Sequence, residues 1–341
     1  MKNSKKAGII FLIMVFVLAL SFKYIYLSGP VSTVMSTSNY RTITIRPGTS
    51  GRQIASILYD NGLIRSERLF YLLLRLESES LKAGTYDINK NNTMHEILDI
   101  LVSGKVATFR ITIPEGYTVE EISERFALLT PYSKEDFLQA ANRDMGRNYL
   151  KESNLPRKYL LEGFLYPNTY IFPREFTPEQ IFESILVQFE NRWLERLKEN
   201  ENDDNIYNRA RELTPFEILT IASMIEKEAK FDSEKPLVAA VIYNRLEQNI
   251  LLQLDATVQY ALEARKSRLF YRDLEVDSLY NTYRHSGLPP GPIANPGSSS
   301  IEAALNPADE EYLFYFATSD GSHVFTHSYS EHLRLLNEMR D

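Results

Sequence analysis

The chain has 341 residues, no cysteine and a formal net charge of −7. These facts exclude structural disulfides, thiol nucleophiles, thiolate metal sites and a lipid-modified N-terminal cysteine, and the acidic balance without a dense Lys/Arg stripe argues against nucleic acid as a partner. The length suits two domains with real hydrophobic cores.

At the N-terminus Lys2, Lys5 and Lys6 precede "AGIIFLIMVFVLALSF", an uncharged run from Ala7 to Phe22 that Lys23 and Tyr-Ile-Tyr-Leu follow. Counted through Leu27 as helix, the run spans about 31 Å, enough for a bilayer core if Lys23 snorkels. A cleaved signal peptide is the competing reading, but no small-x-small site follows the run. The expectation is a cytoplasmic tail at 1–6, a single-pass transmembrane anchor at 7–27 and a polar linker at 28–40. Positive charge on the N-terminal side keeps the tail cytoplasmic and places everything after Leu27 outside the inner membrane.

An internal repeat follows. "ITIRPGTSGRQIA" (Ile43 to Ala55) aligns without gaps on "ITIPEGYTVEEIS" (Ile111 to Ser123). Each copy reads as an alternating strand, a Gly turn, a Ser/Thr cap and a short amphipathic helix. Between them Tyr86 and Ile88 mark a strand, Thr93 with Glu96 a capping box, and Ile97, Leu98 and Leu101 a helix face. Residues 41–130 are therefore expected to form a small α+β domain, and 131–341 a larger mixed α/β domain. Within the latter, "LLEGFLYPNTYIFP" (Leu160 to Pro173) is too rich in Pro, Gly and aromatics for helix. Its aromatics are either core or a sugar-stacking surface. The stretch "ENENDDNIYNRAREL" reads as a solvated charged run.

In "LTPFEILTIASMIEKEA", Thr214 is the predicted N-cap, Pro215 the first helical residue and Glu217 the partner in a capping box. With Ile218 at zero on a helical wheel, Ile221, Ala222, Ile225 and Ala229 form the apolar stripe, Glu226 lies near +80° and Glu228 near −80°. The two carboxylates stand about 160° apart, too far around the axis to share one substrate atom, and Lys227 points to solvent. Glu226, beside Ala222 and Leu219, is partly desolvated, as a general acid requires, although a boundary glutamate paired with a cation has the same signature.

Downstream, "EKPLVAAVIYNRLEQ" reads as a second amphipathic helix, and "LLQLDATVQYALEA" as a strand-like run and then a helix capped by Asp255. Four prolines and three glycines between Gly287 and Gly297 predict a stiff surface loop of the kind that carries function. "EYLFYFATSDGSHVFTHSYSEH" reads as two strands joined at Ser319–Ser322. His323 and His327 share a strand face, and His332 lies close by in sequence, but no carboxylate is placed to complete a metal site.

Taken together, "LEGFLYPNTY" (161–170), "ASMIEKEA" (222–229), "VIYNRL" (241–246), "LQLDATVQYAL" (252–262), "YNTYRHSGLPPGPIANPG" (280–297) and "GSHVFTHSYSEH" (321–332) resemble, in order, the motifs of the endolytic murein transglycosylase or YceG-like family. Met224, Leu254 and Ser328 are small departures from its pattern. The resemblance implies a LysM-like domain at 41–130 and a catalytic domain at 131–341. It implies a peptidoglycan lyase that cuts the β-1,4 bond between N-acetylmuramic acid and N-acetylglucosamine within glycan strands, leaving 1,6-anhydro ends. Such a reaction needs one carboxyl group, because the sugar's own C6 hydroxyl is the nucleophile. The family's catalytic glutamate corresponds to Glu226. Asn281, Tyr283 and His323, followed by Gln253 and Glu228, match polar positions expected to contact substrate, and no metal or organic cofactor is called for. Peptidoglycan strands are the expected partner, with the membrane-bound synthases beside them. A water-using muramidase with Asp255 as base, and a noncatalytic glycan-binding scaffold, are the rival readings.

Overall fold

The computed structural model describes residues 13–17, 39–77, 80–153, 155–194, 210–262 and 266–339. The expected anchor at 7–27 lies outside these residues except for a short helical stretch at 13–17, and so do the linker at 28–38 and most of the charged run around 200–209. Among the described residues no helix is long and apolar enough to cross a membrane. The chain divides into two compact units, 1–109 with 171–175 and 110–170 with 176–341.

The first unit runs β1 (Tyr40–Ile45), α1 (Gly51–Asp60), α2 (Glu67–Glu77), β2 (Gly84–Asn89) and α3 (Met94–Ser103). β1 and β2 pair antiparallel, with Ile43 opposite Tyr86 and Ile45 opposite Gly84. The period of two puts Ile43, Ile45, Tyr86 and Ile88 on the buried face, where α1 and α3 add Ile54, Leu58, Ile97, Leu98 and Leu101. Both helix starts are capping boxes, Ser50 with Gln53 and Thr93 with Glu96. The unit is small, and it folds around these few fully buried side chains because the caps and the alternation agree.

The second unit contains α4 (Val119–Ala127), α5 (Lys134–Ala141), α6 (Pro178–Phe189), α7 (Pro215–Glu228), α8 (Lys235–Glu247), α9 (Asp255–Ala261), α10 (Ser298–Leu305) and α11 (Tyr329–Glu338), with the hairpin β5 (Phe314–Ala317) and β6 (His323–Thr326). The hairpin pairs antiparallel, with Ala317 opposite His323 across the expected turn. Strands β3 (Thr108–Ile113) and β4 (Asn168–Pro173) pair with each other. Phe126 stacks on Phe137 at 5.0 Å, and Phe182 meets both edge-on.

Four sequence expectations change. The division falls at 109/110 rather than 130/131, because the second repeat copy is bonded into the larger unit: Gly116 N–H donates to the Asn295 carbonyl and Asn295 N–H to that of Tyr117. The Pro/Gly run is not a surface loop, since Pro289 to Gly297 are buried. Its backbone and Asn295 tie together Tyr117, Glu162, Leu165 and Ser223. Helix α8 is buried on nearly all sides from Val238 to Arg245, and Asn244 and Arg245 satisfy carbonyls of Glu310, Tyr312 and Leu313 instead of facing water. Residues 251–254 form no strand. There Gln253 is left-handed, at φ 52°, and Asp255 begins α9 as its first residue, with Leu254 at the cap position. The aromatics of "LEGFLYPNTYIFP" belong to the core, with Phe164, Tyr166, Tyr170 and Phe172 all buried.

Candidate active site

Helix α7 carries Glu226 from the core to a cleft. Thr214 caps it through a reciprocal box with Glu217, Pro215 starts it, and every residue from Ile218 to Ile225 is buried. The last turn, Glu226-Lys227-Glu228, is half-buried, and it lines a cleft of about 310 Å³ with Glu115, Gly116, Tyr117 and Glu121. Lys227 does not extend into solvent as the wheel predicts: its Nζ donates to the Gly116 carbonyl at 3.1 Å.

The Glu226 side chain is 10% exposed and its Oε2 accepts from three groups. These are Ser300 Oγ at 2.6 Å, the Gly297 N–H at 3.2 Å and Lys235 Nζ at 3.4 Å. A carboxylate at the C-terminal end of α7 meets an unfavourable helix dipole, and the N-terminus of α10, which supplies Gly297 and Ser300, compensates. Oε1 lies on the side of Gly116, 3.6 Å from where a β-carbon there would stand. The three donors all bond Oε2, and none of them bonds Oε1. Lys235 is 5% exposed and also bonds Asp232 and Ser299. Burial draws its ammonium down, but the hydrogen bond to Asp232 and the charges of Glu226 and Asp232 outweigh that and hold it above the ordinary lysine range.

The wheel separation of Glu226 and Glu228 is kept. Glu228 turns to the other side, where Oε1 takes the Ala256 N–H at 3.3 Å and Oε2 the Tyr315 hydroxyl at 3.1 Å. Burial pushes its carboxyl up, partly offset by those two donors. It also lines a second cleft of about 270 Å³ with Arg245, Gln253, Asp255, Tyr283, Tyr315 and His323. Four of the five expected contact residues, Glu228, Gln253, Tyr283 and His323, therefore meet in one depression, and Glu228 is the wall it shares with the Glu226 cleft. The sharp backbone at Gln253 is held by its N–H to the Thr282 carbonyl, a non-glycine left-handed residue of the kind found at functional sites. Tyr283 donates to Asp255 Oδ1 at 2.7 Å, and His323 Nδ1 pairs with Glu234 Oε2 at 2.8 Å, which fixes the ring. Asn281 stands apart: it is fully buried, and its amide donates to the carbonyls of Leu274 and Val276 while its oxygen takes the Tyr283 N–H. It shapes the loop that presents Tyr283.

Sequence reasoning missed Glu115, Lys235, Gly297 and Ser300. The first had a signal in the repeat, where Glu115 stands opposite Pro47, next to the matched Gly48 and Gly116. Deeper in the same unit Glu162 is buried, accepting from the Val119 N–H, Asn295 Nδ2 and the Tyr260 hydroxyl. Burial pushes it up to about 8 against the pull of the Tyr260 and Val119 donors. Among the described residues no group of three His, Asp or Glu is arranged to hold a metal ion.

The chain has relatives. A Bacillus subtilis protein named endolytic murein transglycosylase is 37% identical over 302 residues, covering 85% of this chain and 82% of its own. One of the same name from Streptococcus pneumoniae D39 is 27% identical, and the match covers 93% of this chain but only 62% of that longer protein. A crystal structure of a putative YceG-like protein from Listeria monocytogenes superposes with a TM-score of 0.60 at 33% identity, covering 88% of this chain and all of the other. The model of the YceG-like family matches residues 43–338, nearly the whole described chain, and the protein belongs to that family.

Proposed function

We propose that the protein is an endolytic peptidoglycan lytic transglycosylase with Glu226 as its catalytic residue. The observation that carries this reading is a mostly buried carboxyl at a cleft, one oxygen of which accepts from three donors, in a chain 37% identical to a protein of that name. Glu226 gives its proton to the glycosidic oxygen as the C1–O bond of N-acetylmuramic acid breaks. The resulting carboxylate is stabilised by Ser300, the Gly297 N–H and Lys235, then accepts the proton of the C6 hydroxyl as O6 bonds to C1. No water is consumed, and the product carries a 1,6-anhydro end. Tyr283, His323, Gln253 and Glu228 line the adjoining cleft and hold the flanking sugars.

The strand-helix-helix-strand order of the first unit, with its antiparallel pair, supports a LysM-like module that binds or spaces glycan. The Lys-flanked apolar run at 7–27 supports a single-pass anchor with the catalytic unit outside the cytoplasm, where new strands emerge beside their synthases.

Digestion of purified murein by the wild-type protein and by Glu226→Gln, with product ends read by mass spectrometry, tests the reading. Anhydro ends that fall by about 10²–10⁴-fold in the variant are expected. Reducing ends would establish a water-using muramidase, equal activity of the two proteins would remove Glu226 from its role, and no cleavage by either would leave a glycan-binding scaffold.

A further inference from the structure

Glu234 and Lys235 are consecutive residues of opposite charge that serve different clefts. They stand where the short turn Asp232–Glu234 opens into α8. Lys235 Nζ donates to Glu226 in the first cleft. Glu234 reaches β6 instead, and both of its oxygens grip one residue there: Oε1 accepts the His323 N–H at 3.0 Å, and Oε2 pairs with His323 Nδ1 at 2.8 Å. The two side chains are 14% and 7% exposed, so little water competes for the pair. The ring also meets Tyr315 edge-on, with centroids 5.2 Å apart, and the Tyr315 hydroxyl is itself held by Glu228.

We propose that Glu234 is a positioning residue that acts through His323: by engaging Nδ1 and the backbone of one histidine, it leaves Nε2 as the ring nitrogen that bonds a hydroxyl group of the bound glycan. The inference rests on the transglycosylase reading above. His323 lines the second cleft with Gln253 and Tyr283. The Tyr283 hydroxyl already donates to Asp255, whereas among the described residues neither His323 Nε2 nor the Gln253 side-chain amide has a hydrogen-bond partner. A sugar hydroxyl both donates and accepts, so it satisfies an imidazole nitrogen and an amide alike. A ring fixed before the strand arrives loses no rotamer freedom on binding it, which is the advantage of a clamp through two atoms over a single bond. Because Glu234 and Lys235 are joined by one peptide unit, the same short stretch of backbone places His323 relative to Glu226.

A double-mutant cycle separates a positioning residue from a mere fastening of the fold. Initial rates of anhydro-end formation on soluble, uncross-linked glycan strands give KM and kcat for the full chain and for its Glu234→Ala, His323→Ala and doubly substituted variants. His323→Ala keeps the backbone N–H that Glu234 accepts, so any contribution of Glu234 to the strand alone survives in that background. We expect each single variant to raise KM about tenfold, the value of one hydrogen bond to substrate, with kcat within about threefold of wild type. The double variant should match His323→Ala. Glu234→Gln keeps an oxygen for the His323 N–H and exchanges the acceptor at Nδ1 for a donor; if Glu234→Ala does not fold, it should show the same pattern at smaller amplitude. An unchanged KM in either single variant, or effects that multiply in the double variant, overturns the inference while leaving Glu226 in its role. A wild type that makes no anhydro ends overturns the transglycosylase reading and the inference with it.

Discussion

The two copies of the strand-turn-helix repeat share their local chemistry and differ in what surrounds it. In each, two inward isoleucines end a strand, a left-handed glycine makes the turn (Gly48 at φ 81°, Gly116 at φ 73°), and a hydroxyl caps the helix through a reciprocal box. At the first turn Arg46, Pro47 and Gly48 are exposed, and among the described residues nothing lies within 4 Å of a β-carbon built on Gly48. Around the second, Gly116 is buried against Glu226, Tyr117 is hydrogen-bonded to the Pro/Gly run, and Glu115 abuts Gly297. The same local turn thus serves two surroundings: the second copy lines the cleft that holds Glu226, with Glu115 at the position that Pro47 holds in the first.

Substitutions at matched positions can break this comparison. The largest effect belongs to the buried Glu162 carboxyl group, which takes the Val119 N–H at the start of α4. Glu162→Ala strands the Val119 N–H, the Asn295 amide and the Tyr260 hydroxyl in the core, and should lower unfolding free energy by about 3 kcal/mol or more in urea titration. Gly297→Ala should come next. Its methyl group displaces Glu115 and disturbs the N–H that holds Glu226, and cleavage should fall by up to about a hundredfold with the protein still folded by circular dichroism.

The glycine pair sharpens the contrast. Gly48→Ala and Gly116→Ala each force a β-carbon into left-handed backbone and should each cost about 1–2 kcal/mol. Only Gly116→Ala, whose methyl would stand 3.4 Å from Glu226 Cγ, should also slow strand cleavage. A slowed Gly48→Ala enzyme would mean that the first turn takes part in catalysis. The smallest effect is the cap: Ser50→Ala and Thr118→Ala should each cost about 1 kcal/mol, and equally, if the boxes are truly local devices. Thermal melts of the two variants read the difference.

Much of this molecule is legible in its residues because the forces involved act over three or four positions. Thr214, Pro215 and Glu217 mark the start of α7 by the bonds they make with one another, and the angular separation of Glu226 and Glu228 follows from 3.6 residues per turn. The hairpin at 314–326 is legible for the same reason. Periodicity is silent about burial on all sides, so α8 reads as amphipathic although Asn244 and Arg245 are inside, bonded to carbonyls almost seventy positions away. It also treats a run of prolines and glycines as surface, while in the fold their stiffness threads a buried connection that carries no side-chain donors except Asn295 and the serines after it.

The sequence by itself determined the helix that carries Glu226, the edge of that helix it occupies, and its separation from Glu228, since each of these is set by neighbours within one or two turns. Only the tertiary structure decided what surrounds Glu226. Its hydroxyl donor is 74 positions away, its amide donor 71, and Glu115 precedes it by most of a domain. Charge and desolvation depend on distance in space rather than along the chain, and for this site those distances were set when α7, α8, α10 and the second copy of the repeat packed together.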